Sequence, residues 1–360
     1  MTPVAAADIA VPRRPADIDA ATFRALSART DVTAVRVVDE NHGTALRARL
    51  EIVGRTDLPH TAFVKLAPVR PAERAFNRFM NLARNETHVY RLLGDELADI
   101  MPRAYGVAAD RHGGRAIVIM EDLTERDATF PSMGAGATAA QAVAVAQTLG
   151  RLHQRFWMTD RFAGGDLAQL SASASRSTRA GPHSWHLLRT IPRAFNDIVP
   201  PEFRQRARML IKNRWAIAKL MQAHPHSLIH GDTHLGNICF VDGRPILFDW
   251  QVASEGPAVK DLSYFACTSI ETGLRRSIDD QLVDAYVDAL NSDGITRLRA
   301  EEARDAYRLF AFTAYIAAGV TAAFGRRLQG EEATRSGLDR AVAGVRDLGS
   351  LELLHRDLTR

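Results

Sequence analysis

The stretch His230-Gly231-Asp232-Thr233-His234-Leu235-Gly236-Asn237, followed twelve residues later by Asp249-Trp250-Gln251, decides how this chain reads. It sets a carboxylate, a carboxamide and a second carboxylate on short loops between apolar runs. Asp232 is placed to accept a hydroxyl proton and orient the attacking oxygen. Asn237 offers a hard neutral oxygen and Asp249 a carboxylate, both suited to magnesium. Between them two apolar runs, 238–241 and 245–248, flank Asp242-Gly243, a strong hairpin signal. A hairpin there returns the chain, so Asp232, Asn237 and Asp249 can meet at one end of it. Each of the three, taken singly, also reads as an ordinary turn residue. Taken together in this order, they describe a site that handles a hydroxyl beside metal-bound phosphate.

Working upstream, alternating or β-branched runs predict strands over 33–39, 45–53, 61–66, 103–108 and 116–120. Short helical patterns fall at 17–29 and 74–93. Lys65 closes the third strand, in Phe63-Val64-Lys65-Leu66. An ammonium inside an apolar strand needs a partner, because an unpaired buried charge is costly. Phosphate oxygens and a helix glutamate would supply one, with Glu86 the better candidate and Glu73 its competitor. An edge-strand lysine reaching to water is the plainer alternative. The loop Asn41-His42-Gly43-Thr44 would cover phosphates through its backbone, although one glycine alone suggests only a turn. Met120-Glu121-Asp122-Leu123 falls where two lobes would join, so its backbone would meet a nucleotide base between apolar side chains. An ordinary linker accounts for those four residues equally well.

Beyond residue 123 the character changes to helices, expected over 139–157, about 201–223, 275–290, 301–324 and about 335–356. The Ser/Ala/Gly-rich stretch 164–181 reads as a loop. The expected division is an N-terminal extension and helix over 1–30, a nucleotide-binding N-lobe over 31–123, and a helical C-lobe over 124–360.

Composition removes several classes. The chain has 360 residues, 46% of them hydrophobic and 24% charged, as in ordinary globular proteins. A formal charge of +4 is too small an excess to argue for nucleic acid. Cys239 and Cys267, the two cysteines, make neither a disulfide framework nor a four-ligand zinc site, so a reducing cytoplasm is expected. Asp8 interrupts the first apolar stretch, which argues against a signal peptide. The uncharged run 309–325 is 17 residues long and rich in alanine, and reads as a buried core helix instead of a membrane span.

Three further residues have two readings each. His230 reads as a histidine bracing the loop sooner than a zinc ligand, since the usual ligand spacings are missing. His234 is a candidate to line the site. Asp261, ahead of an apolar helix, reads as an N-cap or as a buried carboxylate bracing the loop.

These residues resemble the aminoglycoside phosphotransferase and choline kinase-like superfamily over roughly 17–325, closest to its ecdysteroid kinase-like branch. The carriers are Phe63 to Leu66, Glu86 to Tyr90, Met120 to Leu123, Leu149-Gly150-Arg151-Leu152-His153, His230 to Asn237, and Asp249-Trp250-Gln251 with Asp261-Leu262. The resemblance implies a protein-kinase-like α+β fold with a small β-rich N-lobe and a larger helical C-lobe. It implies ATP and Mg2+ as cofactors and a small-molecule hydroxyl as acceptor. Asp232 would be catalytic and Asn237 and Asp249 would hold the metal. Lys65, Glu86, Asn41, Gly43, Thr44, Met120, Glu121 and Leu123 would hold the nucleotide. The glycine-poor phosphate loop departs from the pattern.

Residues 157–226 carry eleven Lys/Arg against four Asp/Glu, with several aromatics among them, Trp157, Phe162, Trp185, Phe195, Phe203 and Trp215. That suits a neutral, hydrophobic or sterol-like alcohol better than a polycationic aminoglycoside. An aminoglycoside-type phosphotransferase is the alternative. From other classes, a metal-dependent phosphoesterase would need more Asp, Asn and His ligands downstream, and a nucleotide-binding pseudokinase would not keep every core polar residue.

Overall fold

The computed structural model describes residues 10–42, 45–55, 57–110, 114–171, 186–324 and 331–359. Gly43 and Thr44, Trp185 and most of the loop expected at 164–181 lie outside them. The chain forms a β-sheet unit and a larger helical unit, the α+β division expected from the sequence.

The first unit holds five strands, β1 (Val32–His42), β2 (Leu46–Gly54), β3 (Thr61–Leu66), β4 (Ala104–Ala109) and β5 (Ala116–Glu121). They pair antiparallel in the order β1-β2-β3-β5-β4. Strand alternation sends Leu46, Ala48, Leu50 and Ile52 to one face, where they join Ala62, Val64 and Leu66. Phe23 and Leu26 of helix α1 (Ala20–Ser27) close that core. Asp19 caps α1 by accepting the Thr22 amide at 2.7 Å.

The single helix expected at 74–93 is two, α2 (Pro71–Met80) and α3 (Leu82–Leu93). Asn81 breaks it with φ of 60°, a left-handed conformation that asparagine tolerates better than most residues.

Ile246–Ala253 belongs to this first unit although it follows the chain's excursion through the helices. Its anchors are polar. The Leu247 amide donates to the Ile100 carbonyl at 2.7 Å. Asn85 Nδ2 on α3 donates to the carbonyls of Ala253 at 2.6 Å and Gln251 at 3.2 Å. Trp250 is fully buried, its indole donating to the Leu247 carbonyl. A boundary at 123 therefore omits the segment that carries Asp249.

The second unit is mainly helical. Helix α4 (Ala139–Arg155) begins with a capping box between Thr138 and Gln141. It packs on the helix Thr272–Leu290, and Gly150 lets the two backbones approach, since a Cβ there would stand 2.5 Å from the Tyr286 carbonyl oxygen. The expected helix at 201–223 divides at Asn213, and that at 335–356 divides at Gly349, whose φ is 63°. Ala300–Phe324 packs against Val259–Ser269 and Glu331–Asp347. It is long and apolar enough to cross a membrane, but Leu309, Phe310, Ala311, Phe312, Ala314 and Tyr315 are buried among neighbouring helices, which makes it a core helix.

Two short ladders complete the chain. β6 (His226–Ile229) pairs antiparallel with β9 (Ser254–Pro257), a pairing the sequence reading did not anticipate. β7 (Ile238–Val241) and β8 (Arg244–Leu247) form the expected hairpin. Asp242 and Gly243 both take positive φ, 51° and 74°, as a two-residue hairpin turn of this kind requires.

Candidate active site

Two polar clusters carry the candidate chemistry, one in each unit. In the first, Lys65 lies on the sheet face opposite the core and is nevertheless 7% exposed. Its Nζ stands 2.8 Å from Glu86 Oε2 and 2.7 Å from Asp249 Oδ1. Glu73, the competing partner, instead meets Arg70 on the surface at 3.4 Å. Burial opposes charge on Lys65, but Asp249 and Glu86 outweigh it and hold the ammonium above its ordinary range. Burial pushes the Glu86 carboxyl up, and Lys65 offsets this in part.

Asp249 adopts φ of 66°, a left-handed backbone that costs energy in a residue with a Cβ. The segment anchors around it fix that conformation. Its second oxygen takes an ion pair from Arg47 Nη2 at 3.3 Å.

At the end of β5, Met120 is buried and receives the Tyr90 hydroxyl on its sulfur at 3.4 Å. The Glu121 amide donates to the Arg103 carbonyl at 2.8 Å. Leu123 is buried and opens the turn Leu123–Arg126, so its N–H has no partner within that turn. Asp122 closes the corner: it is buried, pairs with Arg49, and accepts the Thr61 hydroxyl at 2.9 Å and the Thr124 hydroxyl at 2.7 Å. The sequence gives Asp122 a place only in the stretch Met120 to Leu123, whose backbone would meet a base, and gives Arg49 none. Asn41 is exposed near the end of β1, opposite Arg47 in the register.

The second cluster is built on the loop 230–237. Gly231 has φ of 81°, which a side chain would strain, and turns the chain out of β6 toward Asp232. The amides of His230 and Gly231 donate to the two carboxylate oxygens of Asp261, at 2.6 and 3.0 Å. Asp261 sits inside the helix Val259–Ser269 and does not cap it, so of its two readings the loop brace is the one formed. Behind it, His153 Nε2 lies 3.5 Å from Asp261 Oδ2, and His153 Nδ1 shares a hydrogen bond with the Tyr286 hydroxyl at 2.8 Å. Burial would raise the Asp261 carboxyl, but His153, His230 and Lys260 outweigh it and hold it below its ordinary range.

Both oxygens of Asp232 are engaged. Oδ1 accepts the Tyr264 hydroxyl at 2.9 Å. Oδ2 accepts Asn237 Nδ2 at 3.1 Å and faces His234 Nε2 at 3.5 Å. Asn237 Nδ2 also donates to the Asp232 carbonyl, at 2.9 Å. His230 is buried and its Nδ1 accepts the Asp232 amide at 3.3 Å, while His234 Nδ1 accepts the Gly236 amide at 3.1 Å. Burial would raise the Asp232 carboxyl, but the His234 charge, its hydrogen bond, His230 and Tyr264 together hold it well below the usual range. It is therefore a carboxylate at neutral pH. Burial, reinforced by Asp232, pushes the Tyr264 phenol far up, which keeps it a donor.

Tyr264 and His153 were not singled out for these roles in the sequence, since a tyrosine and a histidine on apolar helix faces read as core. Tyr264→Phe is expected to lower kcat about tenfold while leaving the nucleotide KM unchanged, because a hydrogen bond to a charged group is worth about 1.5 kcal/mol. Steady-state kinetics of the two proteins checks this.

Asn237 and Asp249 are hard oxygen donors of the kind magnesium takes. With its Nδ2 committed to Asp232, Asn237 has its amide oxygen left for a metal. Among the described residues, no three His, Cys, Asp or Glu side chains gather into a metal cluster. Magnesium held by one or two protein oxygens and by substrate phosphates needs none.

An antiparallel five-stranded sheet with a buried lysine–glutamate pair, followed by helices that brace an ionised aspartate, defines a kinase-like phosphotransferase. The sequence matches the phosphotransferase enzyme family over residues 22–310, and the chain belongs to that family. An ethanolamine kinase from Plasmodium vivax shares the fold, with a TM-score of 0.54 at 11% identity over 86% of this chain and 82% of that one. Choline kinase LicA from Streptococcus pneumoniae aligns with a TM-score of 0.48 at 16% identity, over 89% of this chain and 96% of that one. ADP-bound aminoglycoside phosphotransferase APH(2'')-Ib aligns at 0.49 and 13%, over 92% and 99%. No curated protein sequence matches the chain significantly.

Proposed function

We propose that this chain is an ATP-dependent kinase that transfers the γ-phosphoryl group to the hydroxyl of a small neutral or hydrophobic alcohol, sterol-like compounds included. The observation that supports the acceptor class is the lining of a small cleft in the helical unit, about 20 Å³ in volume, which would admit the edge of an acceptor beside the partners of Asp232 and not a whole one. His234 and Tyr264 form one wall, and Met133, Thr268, Ala318, Thr321 and Thr334 line the rest. Apart from His234 the lining has no ionisable group but the Tyr264 phenol, and no carboxylate. An acceptor whose hydroxyl engages Asp232 would find no second carboxylate in this lining to match an ammonium group, and an unmatched buried charge is costly. The basic segment 157–226 supplies none of this lining among the described residues. Its Phe162 and Phe203 are core residues, and its Arg161 and Arg206 pair with Asp166 and Glu352.

In this reading Asp232 orients the acceptor hydroxyl and takes its proton as the oxygen attacks phosphorus in line. Tyr264 and Asn237 hold the carboxylate in the required rotamer. Lys65, fixed by Glu86, binds phosphate oxygens, and the backbone of Met120, Glu121 and Leu123 receives the base. Asn41, Gly43 and Thr44 cover the phosphates. Asn237 and Asp249 would hold magnesium, which neutralises phosphate charge when bound. Positioning and charge neutralisation supply most of the acceleration. Kinship to the ecdysteroid kinase-like branch rests on Asp249-Trp250-Gln251, and a cytoplasmic setting suits two buried free thiols.

The test is ATP consumption by the purified protein across a panel of neutral alcohols, choline, ethanolamine and aminoglycosides. Neutral alcohols are expected to exceed the amine-bearing acceptors in kcat/KM by at least about tenfold, the cost of an unmatched buried charge. Turnover confined to the amine-bearing acceptors would overturn the acceptor class, and an aminoglycoside-only profile would establish the alternative.

A further inference from the structure

Arg47 has no part in the reading above, and its placement gives it one. The β2–β3 register sets Arg47 directly opposite Lys65. Both therefore project from one face of the sheet, opposite the face where Leu46, Ala48 and Leu50 enter the core. Like charges directly opposed on neighbouring strands repel one another. Here the repulsion is relieved by one anion: Asp249 takes Lys65 Nζ at 2.7 Å through Oδ1 and Arg47 Nη2 at 3.3 Å through Oδ2. The two cations differ in access. Lys65 is 7% exposed and also held by Glu86, whereas the Arg47 side chain is 39% exposed. A half-open guanidinium beside a buried ammonium, both converging on a single oxyanion, is an arrangement made for a polyanion. The planar fork of arginine fits phosphate oxygens two at a time.

We propose that Arg47 is a second phosphate-binding cation, acting beside Lys65 on the β- and γ-phosphates of the nucleotide. The proposal rests on the kinase reading. It also accounts for a sequence feature that reading leaves unexplained. The loop 41–44 has one glycine with which to wrap phosphate in backbone amides, and a side-chain cation at the start of β2 supplies charge where amides are few.

The experiment is calorimetric titration of the full chain and of Arg47→Gln and Arg47→Lys with ATP, ADP and adenosine, each with magnesium and with EDTA. Thermal melts confirm that every variant is folded. The glutamine variant is expected to bind ATP about tenfold more weakly than wild type in both conditions, with adenosine affinity unchanged and the lysine variant intermediate. Equal ATP affinity in wild type and Arg47→Gln would overturn the proposal. So would an equal loss for ATP and adenosine, which would signal general damage to the unit. A loss confined to the magnesium titration would mean that Arg47 only braces Asp249, and would overturn it too. Wild type that binds no ATP at all would instead remove the kinase reading, and Arg47's role with it.

Discussion

Asp232→Ala is expected to lower kcat by about 10²- to 10⁴-fold, the range that a positioned general base contributes. The carboxylate is partly buried and meets Tyr264, Asn237 and His234 through its two oxygens, so its charge and direction are set before any substrate arrives. Alanine removes both at once. Asp232 belongs to the helical unit, whereas Lys65, Glu86 and Leu123 belong to the other, so ATP affinity should stay within about threefold, less than one good hydrogen bond. Single-turnover measurements beside equilibrium ATP binding separate the two effects. An alanine variant that keeps wild-type turnover would remove Asp232 from the reaction.

The second large effect is expected in stability. Asp261→Ala should cost about 3–5 kcal/mol, the range for removing one partner from a buried charged network. The side chain is fully buried and accepts the amides of His230 and Gly231, and His153 faces it. Alanine leaves those donors without an acceptor. Asp261→Asn should recover only part of the loss, because one carboxamide oxygen cannot replace two carboxylate oxygens and its NH2 would oppose an amide N–H. Urea unfolding of the three proteins measures the series. Its pH dependence has a defined sign. The folded Asp261 carboxyl titrates below its ordinary value of 3.8. Its contribution is therefore complete above the unfolded carboxyl pKa and is lost as pH falls through the folded one. The gap between wild type and Asp261→Asn should be constant near neutrality and narrow below about pH 4. A gap that widens on acidification would contradict the brace.

Much of the fold was legible because its signals are local. Alternation in 61–66 sends Val64 one way and Lys65 the other, and an ammonium so placed demands an acid. Glu86 lies on the helical pattern 74–93 and Glu73 just before its start, so the sequence alone separates them poorly. The left-handed Asn81 decides it by giving α3 a direction of its own. The β6–β9 ladder escaped the reading because a four-residue strand with Gly256 and Pro257 has no periodic signature. The partners of Asp232 and Asp261 escaped for another reason. Tyr264 lies 32 positions from Asp232, and Tyr286 lies 133 from His153, on helices whose faces are otherwise core. Those residues stand among apolar neighbours in the sequence, and their polar ends find partners only through tertiary packing.

Asn85 couples the two acidic residues that hold Lys65. By gripping the carbonyls of Gln251 and Ala253 from α3, it fastens the strip bearing Asp249 to the helix bearing Glu86. The two acids must travel as one piece. Switching by swinging that helix outward, which would free Glu86 from Lys65, would drag Asp249 along and dismantle both contacts together.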